Sequence, residues 1–159
     1  MSTGAPSWRR LRPRETSGKE ECVKRPLVIL AAVALLVALA AGPVLAATFV
    51  GDAGPNTIIG TAASDSIDGQ GGDDALFGEG SADAVYGGFG DDRVEGNGGE
   101  DLIVGGAGGD VLLGGTGDDR IGDPGPGALD RIFCGAGIDF VEASPGDFVA
   151  SDCERVDRA

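Results

Sequence analysis

Apolar residues return every nine positions through the middle of this chain. Ile58, Ile67, Leu76, Val85, Val94, Ile103, Leu112 and Ile121 form the series, and every member is aliphatic. The local pattern around each is short and alternating. In Arg93-Val94-Glu95 a polar, an apolar and a polar residue follow one another, the period of two of a strand with one inward side chain. Each unit reads as six loop residues and then a three-residue strand. One such strand buries nothing alone. Stacked copies make a narrow core of Ile, Leu and Val. The expectation is an all-β repeat array over residues 51–122.

A different apolar pattern precedes the array. "LVILAAVALLVALAA" (27–41) has no polar residue, follows the basic "VKRP" (23–26) and leads into "GPVLAA" (42–47). Basic, apolar and small-residue regions in that order describe a secretory signal peptide over 1–46, cleaved after Ala46, with 47–50 as a short lead. The alternative is an uncleaved membrane anchor. The uncharged run from Pro26 to Gly51 exceeds the roughly 20 residues that a spanning helix needs.

Charge follows the same boundary. Residues 1–46 carry seven of the 12 Lys and Arg but only three of the 26 Asp and Glu. The rest holds 5 basic and 23 acidic residues, a net charge of −18. Such a surface repels nucleic acid and suits cations. With 30 glycines and few aromatics, composition alone also fits disorder. A phase held through eight units argues against it. Cys22 lies in the leader, which leaves Cys134 and Cys153. In an oxidising compartment these two pair as a disulfide; otherwise they are two free thiols.

The polar positions of the unit carry the chemistry. Two residues before each aliphatic residue stand Asn56, Asp65, Asp74, Asp83, Asp92, Asp101, Asp110 and Asp119. Five residues before those stand Gly51, Gly60, Gly69, Gly78, Gly87, Gly96, Gly105 and Gly114. A further glycine at 54, 72, 90, 99, 108 and 117 is expected to supply a positive φ, and Ala63 and Ser81 interrupt that series. Tight glycine turns expose backbone carbonyls, here near Gly69, Gly87, Gly96, Gly105 and Gly114, and each unit adds one carboxylate or amide. Oxygen donors without His or thiolate select a hard cation, and flexible geometry favours Ca2+ over Mg2+.

"GGFGDDRVE" (87–95), "GGAGGDVLL" (105–113) and "GGTGDDRIG" (114–122) fit G-G-x-G-x-D-x-U-x at every defined place. The array therefore resembles the RTX, or haemolysin-type, calcium-binding nonapeptide repeats. The resemblance implies a parallel β-roll (β-solenoid) with two nonapeptides per turn. Asn56, Asp74, Asp92 and Asp110 would line one edge, and Asp65, Asp83, Asp101 and Asp119 the other. Ions would lie between successive loops of an edge, with Asn56 weakening the first site. Four loops per edge leave roughly six gaps. The adjacent acids Asp73, Asp91, Glu100 and Asp118 would offer carbonyls, with their side chains in solvent.

After 122 the phase slips at "DPGPG" (123–127), and 123–159 reads as a small C-terminal cap, fastened if Cys134 and Cys153 pair. Asp130-Arg131-Ile132 and Asp139-Phe140-Val141 resume the spacing of nine without glycine loops. No His exists to act as a general base, and no G-x-S-x-G or P-loop occurs. The expectation is a non-enzymatic, secreted calcium-binding module, or a membrane-anchored version at the cell surface. It would fold on extracellular calcium and meet an extracellular or cell-surface partner of unknown kind. A hydrolase or toxin fragment is the less favoured reading.

Overall fold

The computed structural model describes residues 45–123 and 128–158; the apolar run 27–41 and most of the leader lie outside them. Thirteen strands make the fold, and the described residues contain no helix. They are β1 (Thr48–Val50), β2 (Thr57–Ile59), β3 (Ser66–Asp68), β4 (Ala75–Gly80), β5 (Ala84–Phe89), β6 (Arg93–Gly98) and β7 (Leu102–Ala107). Then follow β8 (Val111–Thr116), β9 (Arg120–Gly122), β10 (Arg131–Ala136), β11 (Phe140–Ala143), β12 (Phe148–Val149) and β13 (Arg155–Arg158).

The odd strands form one seven-stranded parallel sheet, and the even strands form a six-stranded one. Each unit therefore crosses to the opposite sheet, and two units complete a turn. Residues 18 apart are partners, as in Ile67↔Val85 and Val85↔Ile103 on one sheet and Leu76↔Val94 and Val94↔Leu112 on the other. This is the β-solenoid expected from the repeat, about six turns long.

The core is the nine-residue series itself. Ile67, Leu76, Val85, Val94, Ile103, Leu112 and Ile121 are fully buried. Ile58 is half-buried with Phe49 in the first coil, where no earlier turn covers it. The core is one side chain deep from each sheet, so the roll gains by length rather than width.

Two local expectations are corrected. From β4 to β8 the strands are six residues long, not three. Pairing with the coil above and below draws the next unit's glycine into the strand, and Gly78, Gly87, Gly96, Gly105 and Gly114 become a second buried position. Nor does Gly54 take a positive φ. The first two loops, 51–56 and 60–65, contain no left-handed residue. The six loops from 69 to 119 each contain two. Non-glycine residues are drawn into that conformation by the stack: Gln70 (φ 69°), Glu79 (83°), Ser81 (72°) and Asn97 (72°).

The segment after the array, expected as a cap, extends both sheets. Ile132 pairs with Leu112 and Val141 with Ile121, now 20 residues apart. The loop between β9 and β10 absorbs the two extra residues. Cys134 and Cys153 are joined, with Cα atoms 5.2 Å apart. The bridge ties β10 to the turn before β13.

Candidate metal centre

Strand stacking sets the aspartates in two rows. On one edge Asn56, Asp74, Asp92 and Asp110 lie above one another, and on the other Asp65, Asp83, Asp101 and Asp119. The seven aspartates are at most 5% exposed. Each accepts a hydrogen bond at Oδ1 from the backbone N–H of the coil before it. Asp92 N donates to Asp110 Oδ1 at 2.8 Å, Asp74 N to Asp92 Oδ1 at 2.9 Å, and Asp83 N to Asp101 Oδ1 at 2.9 Å. The rows continue beyond the array. Asp110 N donates to Asp130 Oδ1 and Asp119 N to Asp139 Oδ1, each at 2.8 Å. The D-x-aliphatic spacing of Asp130 and Asp139 was the sequence signal for these additional members.

The second oxygen has a different fate along the roll. Oδ2 of Asp74, Asp83, Asp92, Asp101, Asp110, Asp119 and Asp139 is buried without a hydrogen-bond partner. Leaving a charged acceptor unsatisfied is costly, so these atoms require a ligand or a proton. Asp65 is the exception among the repeat aspartates. Its Oδ2 accepts the Thr61 N–H at 2.5 Å and the Thr61 hydroxyl at 2.8 Å. Asn56 Oδ1 likewise accepts the Asp52 N–H at 2.7 Å. These two loops are the ones without left-handed residues. Where the second loop residue turns to positive φ, from Gln70 onward, no such backbone bond reaches Oδ2.

The unpartnered oxygen lies beside the first glycine of its own loop. A Cβ placed on Gly78 would stand 2.5 Å from Asp83 Oδ2 and 2.8 Å from the carbonyl oxygen of Gly96 in the next coil. The same pair of oxygens flanks Gly69, with Asp74 and Gly87, and Gly87, with Asp92 and Gly105. It recurs at Gly96, with Asp101 and Gly114. Any side chain would fill this space, which explains why all eight units carry glycine there while the second position varies.

Electrostatics follow the same division. Burial pushes the carboxyls of Asp83, Asp92, Asp110 and Asp119 up to about 6, and hydrogen bonds from backbone N–H groups only partly offset it. Charges of neighbouring carboxylates in the stack add to the rise. Asp101 and Asp139 are raised chiefly by burial as well. Asp65 moves the other way. Burial raises it, but the bonds from Ala47 N–H, Thr61 N–H and the Thr61 hydroxyl outweigh that and lower it.

The adjacent acids do more than the sequence reading assigned to them. Asp73 Oδ1 accepts the Asp91 N–H at 3.0 Å, Asp91 Oδ1 the Gly109 N–H at 2.8 Å, and Asp118 Oδ1 the Ile138 N–H at 2.9 Å. Asp73 and Asp91 form an exposed outer ladder beside the buried row of their edge, and Asp118 makes the equivalent bond on the other edge.

The donor set is carboxylate and carbonyl oxygen alone, in a pattern repeated along both edges. It fits a hard divalent ion held between coils, and the orphaned Oδ2 atoms are the positions that such an ion would satisfy. No curated protein and no solved structure matches the chain. Residues 50–85 and 86–121 each match the family described as RTX calcium-binding nonapeptide repeat (4 copies). The ion of these repeats is calcium, and residues 50–121 of this chain belong to the RTX calcium-binding nonapeptide repeat family.

Proposed function

We propose that this calcium-binding roll is an exported module whose folding is driven by calcium outside the cell. The observation that carries the reading is the run of buried Oδ2 atoms without partners, from Asp74 to Asp119. Without calcium, those carboxylates and the −18 charge of the chain after residue 46 oppose compaction. With calcium, Asp74, Asp83, Asp92, Asp101, Asp110 and Asp119 act as ligands together with carbonyls near Gly87, Gly96, Gly105 and Gly114. Asn56 and Asp65, whose oxygens are already hydrogen-bonded, hold the first coil without an ion. Extracellular calcium modules work at about 10⁻⁴–10⁻³ M. The folded roll then serves as a structural or interaction surface rather than a catalyst.

The experiment is a calorimetric calcium titration of Asp92→Asn against Asp65→Asn. Asp92→Asn loses bound calcium and Asp65→Asn keeps the full complement. Equal losses in both variants would sink the assignment. Export with cleavage after Ala46 is supported by the leader's pattern and by the disulfide. The anchored alternative is favoured by the length of the uncharged run from Pro26 to Gly51. The mass of the protein isolated from its native source separates them, since cleavage removes 46 residues.

A further inference from the structure

Resting on the calcium-roll reading, we propose that Asp110, the last aspartate of its edge within the array, joins Asp123 and Asp130 in a divalent-cation site at the insertion, of higher charge than the other sites of the roll. Asp123 belongs to no nonapeptide. The β7–β9 register pairs Val104 with Gly122, so the next residues, Gly105 and Asp123, occupy equivalent places in adjacent coils. Asp123 N–H donates to the Glu142 carbonyl at 2.9 Å, which fixes its backbone at the end of β9. In all eight units this place is glycine. Here it carries a carboxylate, and the loop from 123 to 130 has eight residues where the others have six.

The three side chains are 1–2% exposed, and one carboxylate oxygen from each lies within 4.8 Å of the others. Asp110 Oδ1 is occupied by the Asp92 N–H. Its Oδ2 has no hydrogen-bond partner and sits 2.5 Å from where a Gly105 Cβ would stand. That oxygen needs a ligand, and the buried carboxylate that carries it belongs to the cluster. Three buried carboxylates at this spacing repel one another unless a cation or a proton lies among them, and at neutral pH a divalent cation relieves all three at once. Oxygen-only donors again select calcium, and a third carboxylate strengthens the site, because ligand charge tunes calcium affinity. The site fills first and ties the repeats to the C-terminal coils across the insertion.

Native mass spectrometry and calorimetry with calcium chloride test this on the full chain, comparing wild type with Asp123→Asn. The variant is expected to bind one ion fewer and to lose the first, tightest binding step by tenfold or more. Its melting temperature is lowered in millimolar calcium, and is unchanged or raised in calcium-free buffer at about pH 5, where acid holds the roll together. Asp123→Gly, which installs the residue of the eight units, gives the same loss and covers a failure of the first variant to fold. Asp92→Asn keeps the tightest step and loses a weaker one, so failure of the glycine-loop reading is separable from failure of this one. An unchanged ion count and first step in both Asp123 variants overturns the proposal. So does an equal drop in melting temperature with and without calcium, which marks a structural role only.

Discussion

Acid should partly replace calcium in holding this roll together. In the calcium-free roll the carboxyls of Asp83, Asp92, Asp110 and Asp119 titrate at about 6 instead of 3.8. A difference of about 2 pH units, at about 1.4 kcal/mol for each, is about 3 kcal/mol per group. The sum, about 12 kcal/mol, is an upper limit, because Asp110 feels the charge of Asp92 and solvent at the loop edges screens each group. A domain's whole stability is about 5–15 kcal/mol. The sign follows from the direction. A carboxyl raised in the folded state holds its proton between about pH 4 and 6 when the unfolded chain has released it. Calcium-free stability is therefore highest below that window and falls as pH rises through it. With calcium bound the order reverses, since protons compete with the ion for the same oxygens. The assay is the urea midpoint, followed by far-UV circular dichroism, in calcium-free and millimolar-calcium buffers at about pH 5 and pH 7.5. The two curves should lie close together at the lower pH and far apart at the higher. Calcium-free stability that is level or rises between those values refutes the reasoning.

Three further outcomes are expected. Gly78→Ala places a methyl against Asp83 Oδ2 and the Gly96 carbonyl, and should cost about 1–3 kcal/mol and weaken calcium binding, as read by chemical denaturation and calorimetry. Glu79→Gly, one residue on, should instead stabilise the calcium-bound roll by about 1 kcal/mol, because it relieves a left-handed non-glycine residue at φ 83°; a loss of melting temperature contradicts this. Reduction of Cys134–Cys153, which closes a loop of 19 residues, should lower stability by about 3 kcal/mol in a denaturant titration with and without reductant.

The architecture was legible because the nonapeptide is a physical unit. A strand with one inward side chain must stack, so Ile67 to Ile121 announced the core. Spacing placed Asp92 and its equivalents on common edges once two units made a turn. What escaped lay in the coupling between coils. Glycine at 78 or 87 joins a strand only because neighbouring coils pair there, so the strands looked half their length. Gln70, Glu79 and Asn97 take φ values that their own chemistry disfavours, which no local preference foretells. Asp65 shares the spacing of the other repeat aspartates, but its loop carries Ala63 in place of a glycine and Thr61, whose hydroxyl and N–H satisfy it. Asp123 lay hidden because the register it shares with Gly105 appears only when β9 stacks on β7.

Calcium, by meeting buried carboxylate oxygens between coils, should turn this chain into a roll. A calcium titration followed by far-UV circular dichroism at neutral pH tests it most directly. Little β signal is expected without calcium, followed by a cooperative rise that tracks ion binding and saturates in the millimolar range. The same spectrum in excess chelator and in millimolar calcium would contradict it.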